Sequence, residues 1–202
     1  CYPLLTSHAN PAEQLFSDFK GEKKPGDNVI TTLDYKLQKT AYNALGSYKG
    51  AVVAMEPSTG KILAMVSKPD YDPNNVSKDW SKLISGNSTE SALLNRATQG
   101  LYPPGSTFKI VTGSAAFELK KVGLNEPIFD GGFHPMVPTM GNAGGEVLGW
   151  LTFIKALAMS DNVYFYELGY RVGIDNIEKY AHIFGFGERT GIDLEGEIKG
   201  LV

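Results

Sequence analysis

Two apolar runs, 51–55 and 62–66, are joined by Glu56-Pro57-Ser58-Thr59-Gly60-Lys61, and this arrangement constrains the fold more than any other stretch. Proline and glycine in so short a connection suit a tight reversal, so the two runs are read as antiparallel strands of one hairpin. Upstream, the β-branched run 29–33 reads as a short strand. Asp34 then caps a helical pattern in which Leu37, Ala41, Ala44 and Leu45 recur until Gly46 stops it. Strand, helix and hairpin together predict the start of a folded domain at about residue 29, with residues 1–28 as a connecting segment. That segment mixes Pro3, Pro11 and Pro25 with the charged run Lys20-Gly21-Glu22-Lys23-Lys24 around one short helix near 11–19.

Beyond the hairpin, 69–87 is rich in Asp, Asn, Pro and Ser and reads mostly as loop, with Trp80 in a short helical segment. Pro103 and Pro104 precede a helical run over 106–119, which puts Ser106 in its first turn. The stretch 125–149 has many Gly and Pro residues and little periodicity, predicting an extended excursion. Helices are expected over 151–159, 163–172 and 174–184, the last two separated by Gly173, and 187–202 shows no clear element. Trp80, Trp150 and the Tyr164, Phe165, Tyr166 cluster are read as core or helix-packing residues rather than sugar-stacking platforms.

Composition excludes several classes of function. The net charge of −3 is spread without a basic block, so nucleic acid is not an expected partner. The single cysteine, Cys1, allows no intrachain disulfide, and three scattered histidines make no metal-ligand cluster, so no metal or cofactor is expected. His134 and His182 are too isolated to nominate as bases. No run reaches the apolar length of a membrane span, and an anchor or targeting segment, if the protein has one, is expected to lie outside this chain.

A serine hydroxyl needs a base within hydrogen-bond reach to become a nucleophile, and Ser106-Thr107-Phe108-Lys109 places an amine three residues on. On a helix these two positions share a face, and the helix N-terminus brings backbone N–H groups that favour an oxyanion. Lys109 can act as a base only if burial or a nearby cation lowers its pKa. Ser160-Asp161-Asn162 offers a hydroxyl and a carboxamide in a turn; its plain alternative is a helix-capping turn. Neither motif is decisive alone. In order, they match the first two of the three motifs Ser-x-x-Lys, Ser-Asp-Asn and Lys-Thr-Gly shared by penicillin-binding proteins and class A β-lactamases.

The resemblance then widens. The sequence from Ala51 to Met65 resembles the first hairpin of the transpeptidase domain of class B penicillin-binding proteins. Asn95-Arg96-Ala97 followed by Tyr102-Pro103-Pro104-Gly105-Ser106-Thr107-Phe108-Lys109 is similar to that family's nucleophile segment. Ser160-Asp161-Asn162-Val163-Tyr164-Phe165 and Thr190-Gly191-Ile192-Asp193-Leu194 resemble its second motif and the stretch after it, so the likeness runs over 26–202. It implies an α/β (α+β) fold of the penicillin-binding protein and serine β-lactamase type, an antiparallel sheet flanked by helices.

The same resemblance implies a peptidoglycan D,D-transpeptidase. Ser106 would attack the carbonyl between the terminal D-alanines of a stem peptide, Lys109 would accept its proton, Ser160 would relay it to the leaving amine, and Asn162 would bind the substrate amide and position Lys109. Asp161 is given no chemistry. β-Lactams would acylate Ser106. The family implies anchorage in the bacterial cell membrane with this domain on the extracytoplasmic face, and a membrane glycan polymerase as partner. No Lys-Thr-Gly or Lys-Ser-Gly follows Asn162. Residues 29–202 are therefore expected to be an incomplete transpeptidase domain, its C-terminal strands missing, inactive alone and not stable as a covered monomer. Two other readings stand beside this one: a β-lactamase or D-alanyl-D-alanine carboxypeptidase using water as acceptor, and a non-catalytic module such as a β-lactam sensor, marked by an intact Ser106 without turnover.

Overall fold

The computed structural model describes residues 28–85 and 91–202. The segment 1–27, with its expected helix, lies outside the described residues. Two compact units are built from the rest: the described residues up to Leu101 with Gly191–Ile198, and Tyr102–Thr190 with Lys199–Val202.

In the first unit, Asp34 accepts the Leu37 N–H at 2.8 Å and starts α1, Tyr35–Leu45, which Gly46 ends at φ 56°. The hairpin forms as predicted: β1, Gly50–Met55, pairs antiparallel with β2, Ile62–Lys68, setting Val52 against Val66 and Ala54 against Ala64. Successive strand residues face opposite sides. Val52, Ala54, Ala64 and Val66 accordingly pack with Ala41 and Leu45 of α1, while Val53 and Met55 remain about half exposed. The free edge of β2 is closed by a side chain, because Gln38 of α1 donates to the Met65 carbonyl and accepts from the Met65 N–H, both at 2.7 Å. It stands in for a neighbouring strand. Two short helices complete the unit, α2 (Val76–Leu83, carrying Trp80) and α3 (Arg96–Gln99), and the N–H of Ile198 bonds to the Thr98 carbonyl just inside α3.

The strand expected over 29–33 does not form. Its bonds to β2 are the Asp34 N–H to the Leu63 carbonyl and the Thr32 hydroxyl to the Ile62 carbonyl, too few for a ladder, and Val29, Ile30 and Leu33 are exposed.

The second unit opens with a 3₁₀ turn, Gly105–Phe108, leading into α4, Lys109–Glu118. Strands β3 (Ile128–Asp130), β4 (Phe133–His134), β5 (Val137–Gly141) and β6 (Gly149–Leu151) follow, pairing antiparallel as β3 with β6 and β4 with β5. Helices α5 (Phe153–Ala158), α6 (Asn162–Val172) and α7 (Ile174–Ile183) close the unit. The core gathers Ala115 and Ala116 of α4, Ile128, Leu151, Ala156, and Tyr164 and Leu168 of α6. Small residues on α4 let the ring of Phe153 lie so close that a Cβ on Gly113 would meet it at 2.8 Å.

The extended excursion expected over 125–149 is instead folded back on itself. Gly132, at φ 89°, turns the chain, and a Cβ on Gly141 would stand 2.5 Å from the Gly132 carbonyl, so two backbones meet where only glycine fits. Trp150 is not a core residue: it is 68 % exposed on β6, beside Phe129 of β3 at a ring distance of 5.3 Å, and Trp80 is also half exposed. Tyr164 and Phe165 are buried as expected, whereas Tyr166 is exposed. His134 is buried, with Nε2 3.1 Å from Glu167 Oε2 of α6. Arg171 in turn bonds Glu167 at 2.7 Å and Glu126 at 2.6 Å, fastening α6 to the loop after α4. Among the described residues, no helix is long and apolar enough to cross a membrane.

Candidate active site

Ser106 lies in the 3₁₀ turn rather than in the α-helix, and Lys109 is the first residue of α4. In a 3₁₀ turn, side chains three apart eclipse one another. This places Lys109 more nearly behind Ser106 than an α-helical turn would. Ser106 is exposed, whereas Lys109 is only 8 % exposed.

Ser160 and Asn162 come from the join between α5 and α6. Asp161 is the N-cap of α6 and accepts the Tyr164 N–H at 2.6 Å, so the capping reading of this triplet also holds. Ser160 itself sits at φ 54°, a left-handed conformation unusual for serine. The kink turns both its carbonyl and its hydroxyl toward Lys109.

The four predicted residues meet in one cluster. Lys109 Nζ donates to Asn162 Oδ1 at 2.7 Å, to Ser160 Oγ at 3.1 Å and to the Ser160 carbonyl. Ser160 Oγ donates to Ser106 Oγ at 2.9 Å. An ammonium has three N–H donors, and here each finds an acceptor. The path from Ser106 to Lys109 therefore runs through the Ser160 hydroxyl. Burial holds the Lys109 pKa below the ordinary lysine range, and the negative charge of Asp161 opposes that shift without cancelling it.

Three supporting residues escaped the sequence reading. Asn142 accepts the Asn162 backbone N–H at 2.8 Å, and the Gly141 carbonyl accepts from Asn162 Nδ2 at 3.2 Å. Asp130, at the end of β3, takes the Gly132 N–H at 2.7 Å and the Leu148 N–H at 2.8 Å. Asp161, given no chemistry from sequence, is 1 % exposed; burial raises its pKa first of all, Asp130 raises it further, and the bond from Tyr164 acts against both. The available signal was the Gly-rich punctuation around Asp130 and Asn142, which marks turns but not what they hold.

Comparison with known proteins bears on the family and the fold. The family model described as the penicillin binding protein transpeptidase domain matches residues 50–202. The peptidoglycan D,D-transpeptidase MrdA of Acinetobacter baumannii is 37 % identical over 195 residues, covering 90 % of this chain and 28 % of that protein. The peptidoglycan D,D-transpeptidase PbpA of Mycolicibacterium smegmatis is 39 % identical over 189 residues, covering 83 % of this chain and 37 % of the relative. Among solved structures, Pseudomonas aeruginosa PBP2 in complex with WCK 5153 superposes with a TM-score of 0.79 at 37 % identity, over 88 % of this chain and 42 % of that one. An imipenem acyl-enzyme complex of penicillin-binding protein A from M. tuberculosis gives 0.71 at 35 % identity, over 88 % and 44 %. The chain thus spans less than half the length of each of these relatives.

Proposed function

The chain belongs to the penicillin-binding protein transpeptidase family, and from that premise we propose that it carries the serine-acylation machinery of a peptidoglycan D,D-transpeptidase, with Ser106 as nucleophile. The observation that supports this most is the continuous contact Ser106 Oγ, Ser160 Oγ, Lys109 Nζ, Asn162 Oδ1. It joins an exposed hydroxyl to a buried amine of lowered pKa, the pairing that activating a serine requires.

Ser106 Oγ attacks the carbonyl carbon between the terminal D-alanines of a stem peptide. Its proton passes through the Ser160 hydroxyl to neutral Lys109, and the N-terminus of α4 favours the oxyanion that forms. When the tetrahedral intermediate collapses, the carbon–nitrogen bond breaks and Lys109 returns the proton through Ser160 to the departing D-alanine amine. The acyl group then rests on Ser106 as an ester; the amine of a neighbouring stem peptide attacks it, the carbon–oxygen bond breaks, and the amine's proton passes through Lys109 and Ser160 to Ser106 Oγ, leaving the cross-link and the free serine. Asn162 holds Lys109 through Oδ1 and offers its amide side to the substrate backbone. A β-lactam enters the same first step and stops at the ester. The sequence holds no Lys-Thr-Gly or Lys-Ser-Gly after Asn162, so the carboxylate-binding role of that motif is assigned to no residue here. We place the enzyme at the outer face of the bacterial cell membrane, in the service of wall synthesis beside a glycan polymerase.

The test is intact-mass measurement of the full-length protein after incubation with penicillin. One adduct is expected on the wild type and none on Ser106→Ala. No adduct on the wild type, or an adduct that survives Ser106→Ala, overturns the proposal, and rapid hydrolytic turnover of the drug favours the β-lactamase reading.

A further inference from the structure

Asn142 lies just past β5, outside both motifs, yet its side chain fastens the loop 130–149 to the start of α6. Its Oδ1 accepts the Asn162 N–H at 2.8 Å. Its Nδ2 donates to Asp130 Oδ2 at 2.8 Å and to the Glu146 carbonyl at 2.9 Å, and lies 3.3 Å from Asp161 Oδ2. A carboxamide has one acceptor oxygen and two N–H donors, so every polar position of this side chain is engaged. The Asn162 N–H belongs to the first turn of α6, where no intrahelical partner exists. The neighbouring Gly141 carbonyl takes the Asn162 side-chain amide. Two consecutive residues thus clamp the backbone and the side chain of Asn162, whose Oδ1 in turn holds Lys109.

We propose that Asn142 is a positioning residue for acyl transfer: its amide, set between the buried carboxyls of Asp130 and Asp161, fixes Asn162 and thereby the direction in which Lys109 faces the Ser160–Ser106 hydroxyl pair. The proposal rests on the reading of Ser106 as the acylated residue. An amide suits the position for a physical reason. Asp130 and Asp161 are each 1 % exposed, and a carboxylate between them would be a third like charge with no donor to offer. Asn142→Asp keeps the shape and the acceptor for the Asn162 N–H but loses the donor toward Asp130. Protonation restores a donor, so this variant carries its own rescue. The charged groups that face it are Asp130 at the end of β3, Asp161 before α6 and, through Asn162, Lys109 of α4; Glu146 presents its backbone carbonyl.

The experiment measures the penicillin acylation rate of the full-length wild type, Asn142→Ala and Asn142→Asp by quenched intact-mass analysis across weakly acidic to weakly alkaline pH, with a thermal melt of each protein. Asn142→Ala is expected to lose roughly tenfold to a hundredfold in rate, the scale set by small misplacements of reacting groups, while remaining folded. Asn142→Asp is expected to be impaired at neutral pH, with its rate relative to wild type rising as pH falls while its melting temperature relative to wild type stays constant over the same range, a combination a merely structural role does not produce. Wild-type rates in Asn142→Ala, or a pH-independent ratio in Asn142→Asp, overturn the proposal. If Asn142→Ala melts below the assay temperature, the isosteric Asn142→Asp decides alone, and loss of folding in both overturns the proposal in favour of a structural role. An unreactive wild type overturns instead the functional reading, and the proposal with it.

Discussion

Lys109 is held between two influences of opposite sign: burial favours the neutral amine, the nearby Asp161 carboxylate favours the ammonium, and burial is the larger. A base works deprotonated, so the acylation rate should rise with pH through the lowered Lys109 pKa and level off before the ordinary lysine range. Asp161→Asn removes the opposing charge, and the rising limb should move to lower pH; a pH–rate profile of both proteins checks this. Ser160 is strained at φ 54°, which glycine would adopt freely. Ser160→Gly should therefore cost little stability, or gain on the order of 1 kcal/mol, while losing the hydroxyl that links Ser106 to Lys109. Its acylation rate should drop by about 10²-fold or more, read against a melting curve that is not lowered. That Ser106, Lys109, Ser160 and Asn162 come together was legible in the sequence from two motifs in order and the family resemblance around them, neither string being decisive alone. Asn142 and Asp130 were not, since their partners lie across turns, and a turn residue looks the same in sequence whether it holds a site or only a bend.

At the scale of elements, the close seating of α4 invites a direct test. Gly113→Ala adds helix propensity worth about 1 kcal/mol, but the new methyl meets the Phe153 ring at 2.8 Å, and overpacking of this kind costs about 1–3 kcal/mol. A net destabilisation of up to about 2 kcal/mol is expected, visible as a lower urea midpoint with an unchanged slope. The hairpin and the later helices were legible because apolar periodicity and glycine stops coincide there. The run 29–33 has strand-forming residues, but the side chain of Gln38 occupies the β2 edge at Met65, which no local pattern reveals. The loop 125–149 failed in the other direction: its glycines suggested freedom, whereas in the fold Gly141 lets β5 close on the backbone at the start of β4 and Gly132 lets the 145–147 loop approach. Pairing across such distances is a property of the folded chain rather than of any window of sequence.

Across the whole molecule, the buried Asp161 links stability to pH. Its folded pKa is raised, so the native state holds its proton more tightly than the unfolded chain does. This contribution to stability is fully present below the ordinary carboxylate range and is lost as pH rises through the raised value. The melting temperature of Asp161→Asn should therefore vary less over that acidic window than that of the wild type, as thermal melts at a series of pH values will show. The two exposed aromatic side chains on α2 and β6 have a different use. The chain contains only two tryptophans, and they fall one to each unit, Trp80 in the first and Trp150 in the second. Each unit therefore carries its own natural fluorophore. Trp150→Phe leaves the emission of the first unit alone and Trp80→Phe that of the second, so the cooperativity of the molecule is readable without attaching any dye. Superimposable denaturation curves from the two variants mean that the halves melt as one body, and separated curves rank them.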